Sequence, residues 1–300
     1  MVPTFEIISS NITRHQRLFA RKIYVVTSDV HVKKGVKLSV EDGTVIYIQN
    51  GLNKKLKLRR SALIFDPGST LRAKSIFVKA CNADFKPVKI ADNGGIWFLG
   101  NSQSGVKDTV KVSANRKSPL SSYNAKLIAT HYLGCSDPIK KASRTLVVQD
   151  DIDGLSMIGL SPEEWGVAEL RSFHSADDGI DLTNSYISLD KLVVRTPVED
   201  GINLSSSRLE VRHSLIVDVA KMKNKDRDIV DFETDDGPSF LVLYSGCQVD
   251  IKGVFGDQVV LSSDQMPQAI IKDDNERRYQ FKGRLKRASI IYSIDENLIT

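Results

Sequence analysis

The sequence predicts an all-β protein folded as a single-stranded, right-handed parallel β-helix, a solenoid with loop excursions and capped ends. Two observations lead to this prediction. The pattern D-G-I-x-L, followed by Ser and a short alternating apolar run, occurs twice, with Gly179 and Gly201 at equivalent positions 22 residues apart. The segments around them alternate apolar and polar residues, as strands do and helices do not. A period of ~20–50 residues indicates a repeat architecture.

Eight pairs of residues share the 22-residue offset: Leu170 and Leu192, Asp178 and Asp200, Gly179 and Gly201, Ile180 and Ile202, Leu182 and Leu204, Ser185 and Ser207, Ile187 and Leu209, and Leu189 and Val211. Strands of successive coils lie ~4.8 Å apart, so equivalent inward side chains are predicted to form ladders that fill the core. The two glycines are predicted to lie at corners that require a positive φ.

The N-terminal third carries a related pattern with an offset of 25 residues, which predicts a second set of stacked positions: Leu38 and Leu63, Val40 and Phe65, and Gly43 and Gly68. Residues 1–300 are predicted to form one domain, because elongated all-β folds often reach this length as one unit. Residues 1–22 and 272–300 are predicted to cap the two ends. Polar stretches at 101–142 and 221–236 interrupt the repeat and are predicted to leave it as excursions.

The composition excludes several classes of protein. No stretch approaches the ~20 apolar residues that cross a bilayer, so no membrane span is expected, and the N-terminus lacks the features of a signal peptide. The net charge is only +5 and no nucleic-acid motif is present, so no nucleic-acid partner is expected. Three widely spaced cysteines, Cys81, Cys135 and Cys247, are expected to be buried thiols rather than disulfides or zinc ligands.

Several segments resemble a family of bacterial right-handed parallel β-helix proteins that are often secreted or surface lipoproteins. The matching residues are Val36, Leu38, Val40, Gly43, Thr44, Ile46, Ala62, Leu63, Ile64, Gly68, Leu71, Ala73, Gly94, Gly95, Ile96, Leu99 and Gly100. The resemblance spans residues 23–217 and implies a pectin-lyase-like fold, an extracellular or cell-surface location, and a role in polysaccharide binding or cleavage. The last implication is an analogy between folds.

Acids at the repeated corner are the candidates for catalysis. Asp178 and Asp200 are predicted to lie ~4.8 Å apart on adjacent coils, near the ~5–5.5 Å that separates the carboxyls of retaining glycosidases. Repulsion between them raises one pKa, as a general acid requires. Asp177 would join this pair, and His174 is a candidate general base or ligand.

Two other interpretations of these acids remain open. Asp-Gly is common turn chemistry, in which the carboxylate accepts a hydrogen bond from a nearby backbone N–H. Alternatively, Asp178, Asp181 and Asp200 supply the hard oxygen ligands that calcium prefers, and calcium would then be the cofactor. The N-T-D, G-H-G and R-I-K motifs of polygalacturonases are absent.

A further group of side chains is predicted to bind a ligand. Trp165 follows a turn and is predicted to be exposed, where it could stack on a sugar ring, whereas Trp97 lies in an apolar run and is predicted to pack in the core. The remaining candidates are charged residues on the same coils or in the second excursion: Arg171, Arg195, Arg212, Asp235 and Asp236.

The sequence favours a non-catalytic surface or binding protein that recognises a polysaccharide or a protein partner. The alternative is a polysaccharide lyase or glycoside hydrolase that uses the acids between Asp177 and Asp200. The first is favoured because the structural motifs are well matched while the catalytic motifs are missing. No coiled-coil heptad predicts an oligomeric state.

Overall fold

The computed structural model describes residues 4–51, 61–88, 93–100, 125–131, 154–162, 165–219, 227–234, 237–254, 260–261, 269–273 and 276–293. These residues form 24 β-strands in three sheets, and most of the pairings are parallel. The predicted all-β class with parallel strands is therefore confirmed. The described residues contain no helix that is long and apolar enough to span a bilayer.

Two of the sheets consist of parallel strands only. The order of the seven-stranded sheet is β18 (Asp231–Glu233), β16 (Ile202–Ser205), β14 (Ile180–Thr183), β12 (Leu155–Ile158), β10 (Gly95–Leu99), β7 (Ala62–Phe65) and β4 (Asp29–Val32). The order of the three-stranded sheet is β2 (Gln16–Leu18), β5 (Lys37–Val40) and β8 (Thr70–Ala73).

The third sheet has fourteen strands and is called the large sheet below. Its main path is β1 (Thr4–Ile8), β3 (Lys22–Val26), β6 (Thr44–Gln49), β9 (Ser75–Cys81), β11 (Ala125–His131), β13 (Val167–Phe173), β15 (Tyr186–Arg195), β17 (Arg208–Asp218), β19 (Ser239–Leu243), β24 (Ser289–Ser293) and β21 (Val260–Leu261). Off this path lie β20 (Gln248–Val254), β23 (Glu276–Arg284) and β22 (Ala269–Asp273).

Consecutive strands of the chain alternate between sheets. From β3 to β9 the chain visits the large, the seven-stranded and the three-stranded sheet in turn, and from β12 to β19 it alternates between the seven-stranded and the large sheet. Each strand then pairs in parallel with the strand that follows it in the same sheet, so each sheet is built from segments distant in sequence. This arrangement produces a main apolar core between the sheets, and the described residues also form three smaller apolar clusters.

The predicted 22-residue register is confirmed where the repeat is clearest. Ile180 pairs with Ile202, and Leu182 pairs with Leu204. All four side chains have 0 % exposure. Equivalent apolar side chains therefore lie next to one another in the core, which explains why the repeat keeps them apolar.

The predicted reason for the repeated glycines is wrong. Neither Gly179 nor Gly201 is among the residues with positive φ. A Cβ atom added at Gly201 would instead lie 2.5 Å from Cγ1 of Val217 and 2.7 Å from the carbonyl oxygen of Ile229. Glycine is required there because backbone and side chains approach too closely for any Cβ atom.

The predicted 25-residue register of the N-terminal third is also wrong. Leu38 pairs with Leu71 and Val30 pairs with Leu63, which are offsets of 33 residues. Leu38 belongs to the three-stranded sheet and Leu63 to the seven-stranded sheet, so the two similar segments do not stack on each other. Alternation of apolar residues marks each as a strand but does not specify its sheet.

Parts of both predicted excursions belong to the sheets. Strand β11, inside the range 101–142, pairs with β9 and β13, and β18, inside 221–236, pairs with β16. The rest of 101–142 lies outside the described residues. Towards the C-terminus, β23 and β24 pair antiparallel with β20 and β19. Cys81 and Cys247 are buried free thiols, as predicted, and Cys135 lies outside the described residues.

Candidate functional site

The candidate catalytic acids lie where the chain passes from the large sheet to the seven-stranded sheet, in a region called the acid corner below (Asp177, Asp178, Asp200 and Asp228). Oδ1 of Asp178 accepts the backbone N–H of Asp200 at 2.7 Å, and Oδ1 of Asp200 accepts the backbone N–H of Asp228. The carbonyl oxygens of Asp200 and Asp228 accept the N–H groups of Gly179 and Gly201, both at 2.8 Å. Each carboxyl group therefore caps the backbone of its equivalent in the next repeat.

Burial changes the protonation of these acids. It raises the pKa of Asp178 well above its usual value, and the negative charge of Asp200 adds to this effect. Burial also raises the pKa of Asp200 to about 8, against the hydrogen bond from Asp228. Both groups therefore favour the neutral form, which is less costly to bury than a carboxylate.

The other two acids of the prediction have different positions. Asp177 is buried, and its carbonyl oxygen accepts the N–H of Val198 at 3.2 Å. Asp181 is buried one strand further along, on β14, where it pairs with Asn203. Among the residues with described coordinates, no group of three or more His, Cys, Asp or Glu side chains is placed to hold a metal ion. Asp178, Asp181 and Asp200 therefore do not form the cluster of ligands that the calcium hypothesis requires.

The predicted basic candidates are spread over the surface. His174 has a φ of 54°, and its Nδ1 lies 2.5 Å from Oγ1 of Thr196 at the equivalent turn, where φ is 51°. Nε of Arg171 donates to Oε1 of Glu169 at 2.6 Å. Arg195 is exposed on the large sheet, in register with Phe173.

The predicted exposure of Trp165 is wrong. The side chain is only 6 % exposed and meets the ring of Phe98 edge-on, with 5.5 Å between centroids. Trp97 is buried as predicted, against Ala62 and Ile64. Both tryptophans thus serve packing, because their large apolar surface is most stable away from water. Asp235 and Asp236 lie outside the described residues.

A second cluster, which the sequence did not predict, surrounds a buried carboxylate. It is called the Glu210 cluster below and comprises Glu210, Tyr186, Arg208, Phe240 and Tyr244. Glu210 is 4 % exposed. Its Oε1 accepts the hydroxyl of Tyr186 at 2.7 Å and Nε of Arg208 at 2.9 Å, and its Oε2 accepts the hydroxyl of Tyr244 at 2.8 Å. These contacts hold three long side chains in fixed positions.

The electrostatics of the Glu210 cluster favour an ionised carboxylate. Burial acts to raise the pKa of Glu210, but the hydrogen bonds from Tyr186, Tyr244 and Arg208 together lower it below its usual value. A buried charge is tolerated when it is paired and fully hydrogen-bonded in this way.

The same cluster presents a guanidinium between aromatic rings. Tyr186, Arg208 and Phe240 are in register on adjacent strands, and the guanidinium carbon of Arg208 lies 5.3 Å and 6.0 Å from the centroids of the two rings. Tyr244 is 39 % exposed beside them, and the positive charge of the exposed Arg212 acts on its hydroxyl. The predicted ligand residue Arg212 is thus the one that lies beside this cluster.

The 22-residue offset relates some members of the Glu210 cluster and could have predicted that they lie on adjacent strands. Tyr186 and Arg208 are equivalent positions, and Ser188 is equivalent to Glu210. Both pairs alternate with buried apolar residues and so had to face outward from the core. The offset could not include Tyr244, because it lies 34 residues after Glu210.

Comparisons with protein-family models, with curated proteins and with solved structures found no match. The resemblance of the sequence to bacterial β-helix proteins therefore stays a prediction. Function has to be inferred from the geometry of the acid corner and of the Glu210 cluster.

Proposed function

We propose that the strands are successive coils of a single right-handed parallel β-helix. The alternation of consecutive strands between sheets, with parallel pairing inside each sheet, supports this arrangement. The 22-residue register from β13 to β17 is of the length expected for one coil. Right-handedness rests on the general rule that ~98 % of crossovers between parallel strands have this hand.

We propose that the protein is a non-catalytic recognition protein that binds a polysaccharide through the face bearing the Glu210 cluster. The observation that carries this proposal is the network in which one buried carboxylate fixes Tyr186, Arg208 and Tyr244. Side chains that are ordered before binding lose little conformational entropy when a ligand arrives. Such an array is well suited to a ligand with repeated, weakly binding units.

The chemistry of this face fits a saccharide. The half-exposed Tyr244 offers a ring on which the C–H groups of a sugar can pack. Arg212 is exposed, and the side chain of Arg208 is 33 % exposed. Their guanidinium groups can donate to hydroxyl or carboxylate oxygens. The proposal includes the cell-surface or secreted location that the sequence resemblance implies.

The alternative, a lyase or hydrolase that uses Asp177, Asp178 and Asp200, has less support. Oδ1 of Asp178 and Oδ1 of Asp200 each already accept a hydrogen bond from a backbone N–H group. A general acid must reach the bond that is broken, whereas the side chain of Asp178 is buried and faces the neighbouring backbone.

A panel of acidic and neutral polysaccharides tests the proposal. Isothermal titration would measure binding, and assays of new reducing ends and of the ultraviolet absorbance of unsaturated uronides, with and without calcium, would measure cleavage. We expect binding to at least one polysaccharide without product. Product formation that is lost in Asp178→Asn would support the enzyme instead, and the absence of binding to every polysaccharide would contradict the proposed ligand class.

A further inference from the structure

Two of the four large apolar side chains that are exposed in the described residues lie together on strand β1 (Thr4–Ile8). Phe5 is 38 % exposed and Ile7 is 56 % exposed. They occupy alternate positions of the strand and therefore face the same side of the large sheet. Among the described strands, β1 pairs only with β3, so it forms an edge of that sheet. Apolar side chains that lie together on a protein surface commonly mark a contact site.

The side of the sheet that bears Phe5 and Ile7 is apolar on the neighbouring strands as well. The residues in register with them on β3 and β6 are all apolar: Ile23, Val25, Val45 and Tyr47. The half-buried Phe85 also packs on Phe5, with 5.4 Å between the ring centroids. Where the face of a sheet meets water it is usually polar. Phe5, Ile7, Ile23 and Phe85 are called the N-terminal patch below.

The segment that carries Phe5 and Ile7 is rich in arginine. Residues 4–21 contain a single acid, Glu6, whose Oε2 accepts Nζ of Lys22 at 2.6 Å. The three arginines of the segment are all exposed: Arg14, Arg17 and Arg21. Arg14 and Arg21 form no ion pair with any residue that the structure describes. The segment therefore presents net positive charge to its surroundings.

The N-terminal patch and the arginines lie at the same end of the sheets. Strand β1 is the end strand of the large sheet, and β2, which carries Arg17, is the end strand of the three-stranded sheet. The guanidinium carbons of Arg17 and Arg21 both lie 5.5 Å from the centroid of the Phe19 ring. Arg21 directly precedes β3, on which Ile23 pairs with Phe5. Positive charge therefore borders the apolar patch.

We propose that residues 4–21 dock on an anionic lipid surface. Phe5 and Ile7 enter the boundary between headgroups and acyl chains, and the three arginines contact lipid phosphates. Apolar and basic side chains on one surface are the two contributions that hold a protein on an anionic bilayer. A second copy of the chain fits less well, because docking through this end brings the arginines of both copies together. A soluble polyanion matches the arginines but leaves Phe5 and Ile7 in water.

Sedimentation with lipid vesicles tests this surface. The intact protein would be mixed with phosphatidylcholine vesicles that contain either no anionic lipid or about 30 % phosphatidylglycerol, in ~0.1 M and ~0.5 M salt. We expect binding to the anionic vesicles at the lower salt concentration, weaker binding at the higher one, and none to phosphatidylcholine alone. Equal binding to both kinds of vesicle, or binding to neither, would overturn the proposal.

Paired variants test the apolar and the basic contributions separately. Phe5→Ser/Ile7→Ser and Arg14→Gln/Arg21→Gln should each weaken binding to the anionic vesicles at least ~10-fold. Unchanged binding by either pair would contradict the contribution assigned to it and overturn the proposal.

Matched controls make the same kinds of change elsewhere on the surface. Ile290→Ser alters an exposed apolar residue of β24, and Lys252→Gln/Arg287→Gln removes two exposed positive charges. Both controls should bind the anionic vesicles like the parent. A loss as large as that of the N-terminal pairs would show that the position of these side chains is unimportant, against the proposal.

Fluorescence quenching measures insertion without removing any contact of the arginines. Trp97 and Trp165 are buried, so lipids with brominated acyl chains should leave the fluorescence of the parent unchanged. Ile7→Trp should be quenched in anionic vesicles that contain these lipids, whereas Ile290→Trp should not. If Ile7→Trp sedimented with the vesicles but was not quenched, the proposed insertion would be wrong.

The same variants identify the other two occupants. A dimer in sedimentation velocity that Phe5→Ser/Ile7→Ser converts to a monomer, without vesicle binding, would assign the patch to a second copy and overturn the proposal. Binding of polygalacturonate that is lost in Arg14→Gln/Arg21→Gln, again without vesicle binding, would assign it to a soluble polyanion. Strands β1 and β2 do not carry the Glu210 cluster, so failure of polysaccharide binding in the panel above would leave the vesicle result unaffected.

Discussion

Replacing Asp200 by Asn should make the protein less sensitive to alkaline pH. Asn keeps an Oδ1 acceptor for the backbone N–H of Asp228, but it cannot ionise. Burial raises the pKa of Asp200 from 3.8 to about 8 in the folded protein, so folding favours the protonated form. The parent protein therefore has its full stability below pH ~4 and loses part of it as the pH rises through ~8.

The size of the effect follows from this shift of pKa. Each pKa unit corresponds to ~1.4 kcal/mol, so the rise from 3.8 to about 8 sets an upper limit of about 6 kcal/mol on the stability lost. Because Asp178 shares the same buried environment, part of this penalty remains in the variant. We expect Asp200→Asn to exceed the parent by at least ~2 kcal/mol above pH ~8, and to lie within ~1 kcal/mol of it near pH ~4.

Urea unfolding followed by tryptophan fluorescence is a suitable assay, since Trp97 and Trp165 are both buried and report on the core. The free energy of unfolding would be measured across this pH range for the parent, for Asp200→Asn and for Asp84→Asn. The side chain of Asp84 is exposed, so its variant should follow the pH dependence of the parent. If the free energy of unfolding changed with pH in the same way for the parent and for Asp200→Asn, the reasoning would be refuted.

Two further predictions concern the stacked repeats. Ser207→Ala should lower the free energy of unfolding by ~1–3 kcal/mol in urea titrations, because the N–H of Ser185 loses its acceptor at 2.9 Å; an unchanged value would contradict that role. Gly201→Ala should cost ~1–3 kcal/mol, because the added Cβ would lie 2.7 Å from the carbonyl oxygen of Ile229. Gly283→Ala should cost less, since its added Cβ would meet only the end of the Phe281 ring, at 3.4 Å, and an equal loss at both glycines would argue against close packing as the cause.

The sequence predicted those parts of the fold in which one offset repeats without interruption. The 22-residue register between β14 and β16 follows from identical chemistry at equivalent positions, because only matching side chains fill a shared core. The N-terminal register could not be predicted in this way. There, Leu38 and Leu63 have similar neighbours in the sequence but belong to different sheets.

The candidate sites show the same limit. Asp178 and Asp200 were predicted to be neighbours and are, but the repeat could not show whether their carboxyl groups face solvent or the adjacent backbone. The Glu210 cluster joins side chains at different separations along the chain, 24 residues from Tyr186 to Glu210 and 34 residues from Glu210 to Tyr244, so no single offset relates its members.

The central claim is tested most directly by titrating a polysaccharide that binds in the panel into three proteins: the parent, Tyr244→Ala and Asp178→Asn. The claim is that the Glu210 cluster, rather than the acid corner, recognises the polysaccharide. We predict that Tyr244→Ala binds at least ~10-fold more weakly than the parent, as expected for an aromatic residue at the centre of a binding surface, while Asp178→Asn binds like the parent. Normal binding by Tyr244→Ala together with weakened binding by Asp178→Asn would contradict the claim.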